Sequence, residues 1–193
     1  MTNTAGDTYV PLKASYIISI IINSVSCPFT VLLHMLVIMA VKRRPRLRTN
    51  SNILIACLAV ADALTGLFGQ SSYVLWRIFL IFGLSSSETL KKVNVIVMTT
   101  LAYASCLHLM LITFERLIAI KFTMQYSNVI NDNKLKITVL LIWIISLMCR
   151  ISVVLKIDLV TISIGSLITI SCIFFVVFSY VILYCETRRL LKS

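Results

Sequence analysis

Apolar side chains dominate five stretches of the chain, at about residues 16–41, 53–76, 93–118, 136–155 and 161–185, and most charged residues lie between or at the ends of them. Each stretch reaches roughly 20 residues or more, the length that a helix rising 1.5 Å per residue needs to cross the hydrocarbon core of a bilayer. Strands of a membrane barrel are about half as long and alternate apolar with polar positions, and no such period of two runs through these stretches. Lipid offers no partner to a backbone N–H or C=O, so the pattern predicts an all-α membrane protein with five transmembrane helices. It divides the chain into a short outer N-terminus over residues 1–15, a bundle over 16–185 and an inner end over 186–193. The opening MTNTAGDTYVPLKAS is polar. The apolar run behind it is far longer than the core of a signal peptide, so no cleaved leader is expected.

Composition agrees with this pattern, at 59% hydrophobic and 13% charged residues. A net charge of +11 raises nucleic acid as a partner, but the cations sit in the short connections and instead describe a topology. With the N-terminus outside, the inner side collects Lys42, Arg43, Arg44, Arg46, Arg48, Arg116, Lys121, Lys134, Lys136, Arg188, Arg189 and Lys192, twelve in all. The outer side holds six: Lys13, Arg77, Lys91, Lys92, Arg150 and Lys156. That excess of inner cations predicts an outer N-terminus and inner C-terminus. The first inner loop, KRRPRLRTNSN, supplies most of it and also suits anionic lipid headgroups.

Chemistry of the soluble-enzyme kind has no foothold. The chain shows no metal-ligand spacing, phosphate-cradling glycine loop or nucleophile and base pair, so neither an enzyme nor a bound organic cofactor is expected. Cys27, Cys57, Cys106 and Cys172 fall inside apolar runs and read as small packing residues, while Cys185 near the inner end is a weak candidate for acylation. The informative residues are polar ones at membrane depth, where a central Asp costs about 2.5–3.5 kcal/mol on insertion scales. Asp62 lies near mid-depth in the second run and must face the bundle interior, as an ion or proton site or as a hydrogen-bonded structural carboxyl. His34 and His108 are also intramembrane and read as neutral rings satisfied by neighbouring helices. Glu115 and Arg116 close the third run at its inner end, where arginine reaches the interface.

Set at their intervals, these residues resemble a known family. SNILIACLAVADAL is similar to the second-helix signature of rhodopsin-like G-protein-coupled receptors, and the ERL triplet at 115–117 resembles the acidic-Arg-Tyr triplet that ends their third helix. Trp143 stands where the family has its fourth-helix tryptophan, and Tyr180 matches the tyrosine of the fifth helix. The separations of 28 residues from His34 to Asp62, 54 from Asp62 to Arg116 and 27 from Arg116 to Trp143 also look like those of the family. Within it, MQYSNVI at 124–130 is similar to the second inner loop of melanocortin-like receptors. A very short connection near LKIDLV, Lys91 in place of the outer disulfide cysteine and Cys172 in place of a proline point to the same group, which also includes adenosine, cannabinoid and lysophospholipid receptors.

The resemblance implies a plasma-membrane receptor that passes an extracellular ligand signal to a heterotrimeric G protein. It casts Arg116 as held by Glu115 at rest and released toward Tyr180 and the G protein on activation, with Met124 and Tyr126 as G-protein contacts and Trp143 as structural. Asp62 and Ser105 match the family's sodium site. Departures set limits. Ser72, Lys91 and Val95 replace the acidic cluster of melanocortin receptors, Met98 replaces the carboxylate of amine receptors, and His34 replaces the first-helix asparagine. The ligand is therefore undefined. Because five helices stand where the family has seven, a chain truncated after the fifth helix is expected. The alternative is a non-signalling membrane protein that associates with full-length receptor chains. A small transporter using Asp62 and His108 as a proton relay is a weaker third, since no internal repeat is visible.

Overall fold

The computed structural model describes residues 4–122, 126, 130–154 and 159–190. Met124, and residues 155–158 in the short connection between the last two runs, lie outside the described residues. The described residues form α1 (Thr4–Arg43), α2 (Asn50–Leu64), a π-helical turn (Thr65–Gln70), α3 (Ser71–Ile81), α4 (Ser87–Lys121), α5 (Asp132–Val154) and α6 (Leu159–Leu190), with no strand among them. Among the described residues, four segments are long and apolar enough to cross a membrane by length and composition: Lys13–Arg43, Asn50–Ile81, Ser87–Lys121 and Ile170–Arg189. The 23 residues of α5 reach about 35 Å at helical rise, which also suffices to cross.

Helix ends follow local chemistry. The last turn of α1 carries Lys42 and Arg43 against the negative end of the helix dipole, and Arg48 Nη2 donates to the Lys42 carbonyl oxygen over 2.8 Å. Pro45 then opens a 3₁₀ turn, and extended Thr49 caps α2 by accepting the Asn52 amide at its hydroxyl. At the other end of this span Gly83 has φ of 66°, its amide donates to the Leu80 carbonyl oxygen and the Leu84 amide to that of Phe79. This is the Schellman closure, in which only glycine takes the left-handed position without cost.

One feature of the second span is absent from the sequence expectation. The run is interrupted by a π turn, at which a helix gains a residue and frees a carbonyl. The Gly69 carbonyl oxygen accepts from Asn94 Nδ2 on α4 at 3.2 Å, and the same amide group donates to Ser72 Oγ at 2.9 Å. Both glycines of the turn are buried. A Cβ at Gly66 would sit 3.0 Å from a Val31 methyl carbon, and one at Gly69 would collide with Met98 Sδ.

The bundle is organised about α4, which packs against α2, α3, α5 and α6. Ser51 meets Glu115, Leu54 clusters with Ile112, Asp62 meets Ser105 and Ser72 meets Asn94. The paired numbers sum to 166 or 167 throughout, the signature of antiparallel helices in constant register. Leu54, Ile112 and Leu135 form a buried cluster that joins α2, α4 and α5, with Leu58, Leu111 and Val139 against it. Outward faces are apolar: Ile22, Phe29, Phe174 and Phe178 are more than half exposed, as expected of surfaces that meet lipid tails.

Candidate functional site

The polar residues predicted to matter fall along the seam between α2 and α4, in layers set by the register. Near the C-terminal end of α4, Glu115 is buried, with 4% of its side chain accessible, while Arg116 beside it is 48% accessible. Adjacent residues diverge by about 100° around a helix, so one can point into the seam while the other points out. Ser51 Oγ donates to Glu115 Oε2 at 2.8 Å and Tyr126 Oη donates to Oε1 at 2.7 Å. Both are charge-assisted bonds of short length. Arg116 Nε stands 3.9 Å from Oε2, inside ion-pair range but beyond a hydrogen bond. The two opposite charges are therefore not mainly each other's partners: two hydroxyls hold the carboxylate, and the guanidinium is loosely tethered at the surface.

Tyr126 thus acts from the second inner loop as a strap across α4. Burial, then the hydrogen bond and negative charge of Glu115, push its phenol above the usual tyrosine range, opposed by Asn50 and Arg116. The phenol remains the donor that Glu115 requires.

At mid-depth, Ser105 Oγ donates to Asp62 Oδ1 at 2.7 Å, and His34 Nε2 of α1 lies 4.0 Å from Oδ2. About a third of each of the His34 and Asp62 side chains is accessible. His108 is fully buried and its Nδ1 is 2.7 Å from the Ala104 carbonyl oxygen. A carbonyl only accepts, so the proton sits on Nδ1, and the buried Nε2 is left as a lone pair without a hydrogen-bond partner. The ring meets Trp143 edge to face, with centroids 6.0 Å apart. Trp143 is held by this contact between α4 and α5.

The remaining expected residues are not gathered. Tyr180 is 54% exposed on α6, turned from the side where Cys172 and Ser179 are buried, and no hydrogen bond among the described residues joins it to Arg116. Two cations rest on aromatic faces: Arg77 lies 4.4 Å from the ring centres of Tyr16 and Trp76, and Arg150 lies 5.0 Å from that of Tyr103. Sequence reasoning missed Ser51 and Asn94. Ser51 reads locally as a residue at a helix start, and only the antiparallel register brings it to Glu115. Asn94 did carry a signal, as an amide at the edge of an apolar run.

A family model described as "7 transmembrane receptor (rhodopsin family)" matches residues 34–192. The chain is 32% identical over 128 residues to the 5-hydroxytryptamine receptor 2B of Dichotomyctere fluviatilis, a match covering 64% of this chain and 26% of that protein. The matched part of the chain thus spans about a quarter of the length of that curated relative.

Proposed function

The chain belongs to the rhodopsin family of seven-transmembrane receptors, a family of receptors rather than enzymes, and from that membership we propose that it transmits an extracellular ligand signal to a heterotrimeric G protein. The observation that carries the proposal is the inner layer. A buried Glu115 is held by hydroxyls from two other segments, and a neighbouring Arg116 is left half-exposed with one contact at 3.9 Å. An arginine tethered so loosely is released at small cost, and a partner offering carbonyl or carboxylate oxygens at the inner face would draw it away. Met124 and Tyr126 would contribute to the same inner surface, and Tyr180 would meet Arg116 after α6 turns.

Two resemblances bear on the ligand and point apart. The second inner loop resembles melanocortin-like receptors, whereas the matched relative is by name a 5-hydroxytryptamine receptor. Met98 packs on Gly69 at the position where amine receptors place a carboxylate. An amine would find no counter-charge there, so the ligand proposed is one without a cationic amine anchor. The excess of inner cations supports a plasma-membrane protein with its N-terminus outside.

The test is recruitment of Gα to the chain in cells, followed by resonance energy transfer, with second-messenger output read in parallel. Wild-type chain should recruit Gα, and Arg116→Ala should abolish recruitment at equal surface expression. Surface expression and association with a full-length receptor, without any recruitment, would instead favour the non-signalling membrane partner.

A further inference from the structure

The oxygens of Asp62 and Ser105 are the donor type that a hard cation takes, but the surroundings of Asp62 do not suit the sodium ion that family membership implies. Oδ1 already accepts the Ser105 hydroxyl proton. Oδ2 faces the ring of His34, whose Nε2 stands 4.0 Å away from the opposite helix. The family's asparagine at this position offers an amide oxygen. An imidazole offers either an N–H, which repels a cation, or a nitrogen lone pair, which a hard cation takes poorly. With its proton on Nε2, the ring is a donor aimed at the carboxylate, whether the ring is neutral or charged.

We propose that His34 takes the place of the sodium ion, so that Asp62 is satisfied from α1 and α4 without a bound cation. The 4.0 Å separation is too long for a direct hydrogen bond, and a small rotation of the ring or one bridging water closes it. His108 cannot substitute: its only N–H is bonded to the Ala104 carbonyl oxygen, and the nitrogen left over has no proton to give. Cys27 of α1 is engaged elsewhere, its thiol lying 3.2 Å from the Gly66 carbonyl oxygen. Arg77 is 15 residues beyond Asp62 on the same rod, about 22 Å along the axis, and is enclosed by aromatic rings. His34 is therefore the group placed to exclude a cation from Oδ2.

The experiment is thermal unfolding of the purified 193-residue chain in detergent, in sodium chloride against choline chloride at equal ionic strength. Wild type should unfold at the same temperature in both salts. His34→Asn should gain a sodium-linked rise in midpoint, and the double variant H34N/D62N should lose it. A sodium-linked rise in the wild type that Asp62→Asn removes would overturn the proposal, as would an H34N chain that folds but gains no response. Should H34N not fold, sodium-23 line broadening by the wild-type chain decides. Excess broadening over Asp62→Asn overturns the proposal, and equal broadening supports it. None of these outcomes depends on G-protein recruitment, so the receptor function stands or falls separately.

Discussion

Removing either hydroxyl that holds Glu115 should destabilise the inner end of the bundle and loosen the second inner loop. Ser51→Ala and Tyr126→Phe each delete one donor and leave the carboxylate in place, with 4% of its side chain accessible. A hydrogen bond to a charged group contributes about 1.5–3 kcal/mol, and an unsatisfied buried charge costs at the upper end. For a chain of this size about 1 kcal/mol moves the unfolding midpoint by roughly 2–4 °C, so each single variant should unfold about 3–12 °C lower. The double variant should lose less than the sum. Arg116 Nε is 3.9 Å from Oε2 and has only to close about 1 Å to become the new partner. The free thiols of Cys57 and Cys106, which lie within the span and are partly buried, give the assay: their labelling by a thiol-reactive fluorophore on heating reports unfolding. Arg116→Ala in the S51A/Y126F background should then remove the compensation and lower the midpoint further. If both single variants unfold with wild type, Glu115 is not held by hydroxyls, and the reasoning that leaves Arg116 free fails with it.

Four further outcomes follow from particular contacts and from the distribution of charge. The raised Tyr126 phenol is fully protonated below the ordinary tyrosine range near about pH 10, so its contribution to stability is present there and is lost as pH rises through the folded-state value. Absorbance at the tyrosinate band against pH should show one late-titrating tyrosine that Tyr126→Phe removes. Gly66→Leu should cost about 1–3 kcal/mol by overpacking against Val31 and Thr30 of α1. Gly69→Ala should be milder in the same thermal assay, because the Met98 thioether it meets can turn aside. Finally, an N-terminal tag should be reached by antibody on intact cells. A tag detected only after permeabilisation would reverse the topology derived from the distribution of Lys and Arg.

The sequence by itself determined what depends on solvent. Long apolar runs dictate helices because lipid leaves the backbone no other partner, and the separations of Asp62, Arg116 and Trp143 were legible as family intervals. The cost of a carboxylate in lipid also placed Asp62 inward. Which groups satisfy each buried charge was decided by the tertiary structure. Glu115 and Arg116 are neighbours in sequence, and the family resemblance implies that Glu115 holds Arg116 at rest. Yet the hydroxyls that hold Glu115 come from 64 residues upstream, through an antiparallel register that no local pattern reports, and from 11 downstream, past the end of α4. The π turn at Thr65–Gln70 was equally invisible, because two glycines in an apolar run do not by themselves specify a π turn and the Gly69 carbonyl finds its partners in Ser72 one turn on and Asn94 across the seam. His34 could be read as a ring inside the membrane, but its position opposite Oδ2 of Asp62 comes from how α1 rotates against α2. Burial is a property of the segment and is written along the chain. The identity of a partner depends on register and rotation between segments, and these are fixed only when the helices pack.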